Sequence, residues 1–283
     1  MERWVVAAKR ADFAAIGKEF GIDPVIARLI RNRDVQDRDE IRRYLYGKVD
    51  ELASPHLMKD VDKAVEILRN KIKEKKRIRI IGDYDIDGVV STFILIKGLK
   101  RAGALADTYI PDRVADGIHE HLIERAVNDG IDVIVTCDNG IAAYNEITMA
   151  KEKGMTAIIT DHHEIPYKET EDGRELILPP ADAIVNPKQP DCNYPEKRLC
   201  GAVVALKLVT ALYEACGIPE KELEDFLELG AIATVGDVMD LQGENRILVK
   251  EGLKRLSHTS NKGLRELIRA NGLEDGTITA YHV

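Results

Sequence analysis

Three aspartates alternate with other residues in one short stretch of the chain. Asp83, Asp85 and Asp87 follow the largely apolar run 77–82 and precede Gly88. Carboxylates this close together at the end of a buried strand repel one another, and a bound cation removes that repulsion. The spacing therefore predicts a divalent-cation site that begins at these carboxylates.

Two further apolar runs end in residues of metal-ligand type. The run 131–137 is followed by Asp138-Asn-Gly140, and the run 155–160 by Asp161-His-His163. Each motif alone has a plain explanation, a turn for the first and a helix N-cap with two solvated histidines for the second. Because all three motifs stand in register at predicted strand ends, chance is a poor explanation for the set.

Carboxylates and imidazoles without thiolates suit Mn²⁺ or Mg²⁺. Two such cations a few ångströms apart can bridge a water, lower its pKa and stabilise both oxygens of an in-line displacement at phosphorus. The residues therefore predict a two-metal hydrolytic site in which one carboxylate bridges the ions. The candidates are Asp83, Asp85, Asp87, Asp138, His162, His163 and Asp237.

The Asp-x-Asp-x-Asp-Gly spacing also opens an EF-hand calcium loop. Such a loop needs a bidentate Glu at its twelfth position, and counting from Asp83 that position is Ile94. A strand is also predicted before Asp83, where an EF-hand has a helix. We therefore reject the calcium-loop interpretation.

Strands that alternate with helices must position these residues. Apolar runs predict strands at 77–82, 106–110, 132–137, 156–160 and 182–185, with helices between them such as 89–102 and 118–129. This alternation predicts βαβ units and an α/β fold whose parallel, doubly wound sheet is flanked by helices. Ligands of such sheets bind outside the carboxyl ends of the strands, where the Asp and His motifs fall.

Further helices are predicted before and after the sheet. They lie at 24–30 with Asp23 as N-cap, at 38–46 and 60–75, and then at 199–208 and 223–235. We expect residues 1–70 to form a small helical region that packs on the catalytic domain. Residues 71–245 would be the catalytic α/β domain, and 246–283 a helical segment leading to a C-terminal domain.

The composition excludes some classes of protein. The net charge of −8 and an aromatic fraction of 5% do not describe a basic nucleic-acid-binding domain, so a nucleic-acid substrate needs a local patch, bound metal or help from elsewhere. No apolar run approaches the roughly 20 residues of a membrane helix, and no signal-peptide pattern opens the chain. We expect a cytoplasmic protein with no membrane partner.

The cysteines do not form a zinc-binding pattern. None of the four belongs to a CxxC pair, which favours reduced, mostly buried thiols over a zinc site. They are Cys137, Cys192, Cys200 and Cys216.

Together these motifs resemble the DHH phosphoesterase superfamily, named for its Asp-His-His motif, and within it the RecJ branch of single-strand-specific DNA exonucleases. The resemblance covers nearly the whole chain. It rests on Gly82–Gly88, Asp138–Ile141, Asp161–His163 and Thr234–Asp237, and also on Trp4, Ala27–Arg33, Asn186–Lys188 and Leu199–Leu208.

The resemblance implies a role for each candidate residue. Metal would be held by Asp85, Asp87, Asp138, His162 and Asp237, with Asp138 as the bridge. The catalytic residues would be Asp83, His163, which meets the scissile phosphate, and Asp161, which orients the histidines. Arg113 and Gly140 would contact the substrate.

The function implied is a metal-dependent phosphodiesterase that degrades single-stranded DNA from its 5′ end in repair and recombination and releases 5′-mononucleotides. Its partners would be single-stranded DNA with a 5′ end and a single-strand-binding protein or helicase. Because the substrate-binding C-terminal domain of the family is not among these residues, we expect the chain alone to be weakly active or inactive.

Two alternatives stay open: another DHH hydrolase acting on short oligonucleotides or cyclic dinucleotides, and a non-catalytic DHH-like scaffold. Ile81 stands where pyrophosphatase-like members carry a His, which argues against that branch and weakens one metal subsite. The loop Arg113–His119 also departs from the RecJ pattern, so the resemblance does not carry over how this loop binds substrate.

Overall fold

The computed structural model describes residues 9–111, 118–171, 173–274 and 276–283. Trp4, part of the resemblance, and Arg113, a predicted substrate contact, lie outside the described residues.

A parallel sheet of five strands forms the centre of the molecule, and a separate two-stranded hairpin lies outside it. The strands are β1 (Arg77–Ile81), β2 (Leu105–Tyr109), β3 (Val133–Cys137), β4 (Thr156–Thr160), β5 (Tyr167–Thr170), β6 (Gly173–Leu176) and β7 (Ala183–Val185). In the large sheet the order is β2-β1-β3-β4-β7, and all neighbours are parallel. Each end of the five predicted strands is confirmed to within about one residue.

Helices precede the sheet, connect its strands and follow it, as predicted. They are α1 (Phe13–Phe20), α2 (Pro24–Asn32), α3 (Arg38–Tyr46), α4 (Val61–Lys73), α5 (Ile86–Arg101), α6 (Glu120–Asn128), α7 (Tyr144–Glu152), α8 (Gly201–Cys216), α9 (Glu224–Gly236), α10 (Gly243–Leu256) and α11 (Lys262–Ala270). The predicted N-cap is confirmed, because the Asp23 carboxylate accepts a hydrogen bond from Val25 N–H at 2.8 Å. Within the described ranges no helix combines the length and apolarity needed to cross a membrane.

Helices cover both faces of the sheet, which confirms the doubly wound fold. On β1, Ile78 and Ile80 pack into one core with α4, α5 and α8. Ile81 points the other way, into a second core with α6 and α7. This alternation follows from the two-residue period of a strand, and both faces are apolar because both are buried.

The hairpin of β5 and β6 was not predicted. Every residue of the two strands is exposed, so the segment has no apolar alternation that a sequence pattern could reveal. The hairpin lies in the connection between β4 and β7, whereas each of the other connections between strands of the sheet contains a helix.

The thiols are mostly buried, as the sequence analysis predicted. Cys137, Cys192 and Cys200 are buried, and Cys216 is exposed. Burial raises the pKa of the Cys137 and Cys200 thiols, which keeps them protonated.

The order of the strands reverses between β1 and β3. From β1 the chain moves to β2 on one side, and from β3 it moves to β4 and β7 on the other. Helices leave the carboxyl ends of β1 and β3 on opposite faces, which opens a crevice at that point of an α/β sheet. The Asp83–Asp87 motif and Asp138 follow these two strands directly.

Candidate metal centre

The turn after β1 delivers Asp85 and Asp87. Asp85 is the N-cap of α5, and its Oδ1 accepts a hydrogen bond from Gly88 N–H at 2.9 Å. Asp87, in the first turn of α5, is fully buried and accepts hydrogen bonds from the N–H groups of Gly201 and Ala202 at 2.6 and 2.8 Å. The N-terminus of α8 thus holds the buried carboxylate, as helix N-termini hold anions.

Asp138 occupies a strained turn after β3. Its φ is 60°, in the left-handed region, and the residue is 2% exposed. Gly140, with φ 104°, completes the turn, and a Cβ there would lie 2.4 Å from Thr136 Oγ1. A Cβ on Gly201 would lie 2.8 Å from Asp138 Oδ1. Glycine therefore lets the backbone approach the Thr136 side chain at position 140 and the Asp138 carboxylate at position 201. Contact of Gly140 with substrate stays a prediction.

Asp161 after β4 orients its two histidine neighbours. Its Oδ1 accepts hydrogen bonds from His162 N–H, His163 N–H and His163 Nδ1 at 2.7, 3.1 and 2.8 Å, and its Oδ2 accepts one from Ile141 N–H at 2.9 Å. Burial alone would raise the pKa of the Asp161 carboxyl, but the bond and charge of His163 hold that pKa below its ordinary value. The same bond raises the pKa of His163. The arrangement supports the predicted orienting role.

The ring of His162 faces carboxylates from three elements. His162 Nε2 lies 3.0 Å from Asp138 Oδ1, 3.6 Å from Asp87 Oδ2 and 3.7 Å from Asp237 Oδ2. Asp237 is the C-cap of α9, so β3, β4, α5 and α9 all contribute to one centre.

The carboxylates of the centre are costly without a cation. Asp138 Oδ1 lies within ion-pair distance of His162 but is not aligned for a hydrogen bond, and it and Asp237 Oδ2 are buried with no hydrogen-bond partner among the described residues. Burial and the charges of Asp87 and Asp85 raise the pKa of Asp138 to about 11 and that of Asp237 to about 6. Burial lowers the pKa of His162. A divalent cation would offset both the burial and the repulsion.

Among the described residues, two groups of side chains have ligand atoms close enough to share an ion. They are Asp138, His162 and His163, and Asp87, His162 and Asp237, with ligand atoms within 4.8 Å of one another in each group. Because His162 belongs to both, the groups are parts of one centre. Carboxylate oxygens with imidazole nitrogen suit Mn²⁺ or Mg²⁺, so the residues fit the predicted ions.

Asp85 and Asp83 lie outside these two groups. Asp85 is exposed, although its charge reaches Asp138 and Asp237. Asp83 is half-buried, and its Oδ1 accepts a hydrogen bond from Tyr84 N–H at 2.6 Å. Metal binding by Asp85 and catalysis by Asp83 stay predictions.

Sequence reasoning missed Lys188. Asn186 Nδ2 donates to His163 O at 3.0 Å, Lys188 N–H donates to Asn186 Oδ1 at 2.8 Å, and Lys188 Nζ pairs with Glu164 Oε1 at 2.9 Å. The Lys188 charge reaches His162, His163 and Asp237. The Asn186-Pro-Lys188 motif was the part of the sequence that could have indicated Lys188, but the sequence alone assigned this motif no role.

The fold and the centre define an α/β protein with a divalent-cation site at the switch point of its sheet. The family profile described as "DHH family, N-terminal domain" matches residues 77–234. The chain therefore belongs to the DHH family.

Relatives and solved structures point to one branch of that family. The single-stranded-DNA-specific exonuclease RecJ of Bacillus subtilis is 38% identical over 278 residues, which cover 97% of this chain and 33% of the relative. RecJ from Thermus thermophilus in complex with Mn²⁺ matches with a TM-score of 0.73 at 32% identity, covering 92% of this chain and 35% of that one. Exonuclease RecJ bound to manganese matches with a TM-score of 0.66 at 36% identity, and the match covers 76% of this chain and 52% of that one.

The chain thus spans 33% of the length of the Bacillus subtilis relative, although nearly all of the chain takes part in the match.

Proposed function

We propose that this chain forms the catalytic centre of a metal-dependent phosphodiesterase, a 5′→3′ exonuclease that acts on single-stranded DNA in repair and recombination and releases 5′-mononucleotides. The observation that carries the proposal is the meeting of Asp87, Asp138 and Asp237 around His162 Nε2. Buried oxygens of Asp138 and Asp237 have no hydrogen-bond donor in the part of the chain that the structure describes. The similarity to RecJ exonucleases, two of them solved with manganese, supports the choice of substrate and metal.

The metal would be held by Asp87, Asp138, His162 and Asp237, with Asp85 at the exposed side. Bound Mn²⁺ or Mg²⁺ would supply an activated water and offset charge on the phosphate oxygens. The protein's own share is to fix the ligands: Gly201 and Ala202 hold Asp87, and Asp161 holds the histidine pair.

The side chain of His163 is poised to meet a phosphate. It is 55% exposed, whereas its Nδ1 is held by the buried Asp161. The hydrogen bond to Asp161 raises the pKa of His163, which favours the charged ring and its interaction with a phosphate oxygen. The backbone of Lys188 is connected to that of His163 through Asn186, and the charge of its ammonium, which is paired with Glu164, also acts on His163.

Asp138→Ala tests the proposal in the natural full-length protein. We expect it to abolish the Mn²⁺-dependent release of 5′-mononucleotides from a 5′-phosphorylated single strand, because the centre loses the buried carboxylate that lies 3.0 Å from His162 Nε2. Asp39→Ala, at an exposed position in the first turn of α3, is the matched control and should retain activity. Undiminished hydrolysis by Asp138→Ala would remove the proposed centre.

The choice of substrate separates the alternatives. An exonuclease shortens a long single strand stepwise, whereas a DHH hydrolase of the other kind prefers a dinucleotide or cyclic dinucleotide. Absence of metal-dependent hydrolysis from all of these substrates would indicate a scaffold.

The remaining parts of the proposal concern context. We place the protein in the cytoplasm, to be checked by cell fractionation, and expect a single-strand-binding protein or helicase to co-purify with it. The proposed three-part division places its boundaries at residues 70 and 245, which lie within α4 and α10. Limited proteolysis would test it, and resistance to cleavage around both positions would show that the parts form one unit.

A further inference from the structure

The end of helix α9 carries an unusual residue next to the metal centre. After Asp237, the N–H groups of Val238 and Met239 donate to the carbonyls of Val235 and Thr234, each at 3.1 Å. These two bonds form a Schellman motif, whose left-handed position is usually glycine. Here that position is Val238, with φ 56°.

The same chain uses glycine at this position elsewhere. Helices α1 and α8 end at Gly21 and Gly217, with φ 65° and 66°. Among the described residues with positive φ that are not glycine, Val238 is the β-branched one, and the others are Asp34, Asp60, Lys75, Asp138 and Asp191. A β-branched side chain is strained in this conformation, so the fold alone favours another residue at position 238.

Burial does not compensate for the strain. Val238 is 86% exposed, so its side chain gains almost nothing from the core. Strain without compensation inside the fold points to a contact made with something outside it.

Two more exposed apolar side chains border the same centre. Tyr84 and Ile86, in the turn that carries the carboxylates, are 38% and 40% exposed. Ile86 covers the end of α9, since a Cβ on Gly236 would lie 2.6 Å from its Cγ2. The segment after β1 and the end of α9 therefore meet, and the two segments expose Tyr84, Ile86 and Val238 to solvent.

The charges around these side chains determine which part of a nucleotide can contact them. Tyr84 and Ile86 alternate with Asp83, Asp85 and Asp87, and Val238 follows Asp237. Carboxylates repel the other phosphates of a strand, whereas the uncharged face of a base fits an apolar side chain. We propose that Val238, with Tyr84 and Ile86, forms the contact surface for the base of the nucleotide whose phosphate lies at the metal centre. This inference rests on the proposed nuclease function.

The test uses the full-length protein and a pair of 5′-phosphorylated single strands of equal length. One is ordinary, and the other has abasic residues at its first two positions. The natural protein should show a KM at least about fivefold lower for the strand with bases. Val238→Gly and Val238→Asn, both of which suit the left-handed conformation, should raise the KM for that strand to the abasic level.

The variants should also melt higher, by about 2 to 4 °C, because the strain is gone. Val25→Asn is the matched control: Val25 is 63% exposed on α2, and its loss should leave the preference for bases unchanged. A Val238 variant that keeps the full preference would overturn the inference. A Val238 variant whose sedimentation changes while its KM does not would also overturn the inference, because the side chain would then belong to an interface between protein molecules. If the natural protein hydrolyses neither strand, the proposed function itself fails, and the inference with it.

Discussion

At the scale of single residues, Asp161 differs from the other carboxylates of the centre because one of its oxygens accepts hydrogen bonds from His162 N–H, His163 N–H and His163 Nδ1. It is therefore suited to hold His162 and His163 rather than to bind an ion. Its neighbour Asp138 is the opposite case, with a buried oxygen that has no donor among the described residues.

Asp161→Asn should weaken the centre without removing a ligand. The amide has one acceptor oxygen, so it cannot satisfy both the His163 ring and Ile141 N–H. We expect Mn²⁺ affinity or kcat to fall about 10- to 100-fold. The pKa of His163, which Asp161 raises, should drop toward its ordinary value. An NMR titration of the histidines would check this, and an unmoved His163 resonance would contradict the orienting role.

Residue types and their positions after strands could be predicted from the sequence, since strand ends of a parallel sheet share one edge. The sequence could not reveal that Lys188 lies beside the histidines. That position depends on a hydrogen bond from Asn186 to the backbone of His163, a tertiary contact with no local pattern.

At the scale of elements, the start of α8 closes the centre. Gly201→Ala should push α8 away from Asp138, because the new Cβ would lie 2.8 Å from its Cβ and Oδ1. We expect destabilisation of about 1–3 kcal/mol and weaker Mn²⁺ binding, measured by urea unfolding and calorimetry. Gly263→Ala on α11 is the control, since its Cβ would meet only Asn261 Oδ1 at 3.4 Å. Equal behaviour of the two variants would argue against a close approach at Gly201.

A second contact between elements depends on pH. His56 bridges Glu214 of α8 and Asp62 of α4, at 2.7 and 2.5 Å, and these bonds raise its pKa. A raised pKa means that the stabilisation is fully present below the unfolded-state value near pH 6.5 and is lost as pH rises through the folded-state value. The side chain is 44% exposed, so the effect should be about 0–1 kcal/mol.

Urea unfolding of the natural chain and of His56→Gln across pH 5 to 9 would measure this contribution as a difference. The difference in the free energy of unfolding should shrink as pH rises. A difference that is constant with pH would show that the bridge carries no charge.

The elements themselves were largely predictable, and their arrangement was not. Strands with buried faces are recognisable by their apolar runs, whereas the exposed hairpin of β5 and β6 is not. The order β2-β1-β3-β4-β7 follows from packing between distant segments, which a single sequence does not encode locally.

At the scale of the whole molecule, binding of metal and stability are linked. Mn²⁺ should raise the Tm of this chain, because an ion that binds only the folded state adds about 2.7 kcal/mol at a concentration of 100 Kd. In the presence of a chelator, Asp138→Asn should melt at a higher temperature than the natural chain, because it removes a buried carboxyl group that the neighbouring carboxylates destabilise. Its Tm should rise little when Mn²⁺ is added. Scanning calorimetry with and without metal would test both. An identical response of the two proteins to Mn²⁺ would contradict the assignment of the centre.

The proposed ligands Asp87, Asp138, His162 and Asp237 come from parts of the chain that are far apart in sequence. An ion can therefore be captured only after β1, β3, β4 and α9 have all reached their places. Because Asp237 belongs to the last of these elements, a chain cut between β4 and α9 would separate one carboxylate of the proposed centre from the others. Binding of an ion by the proposed centre would therefore report that these segments have folded together.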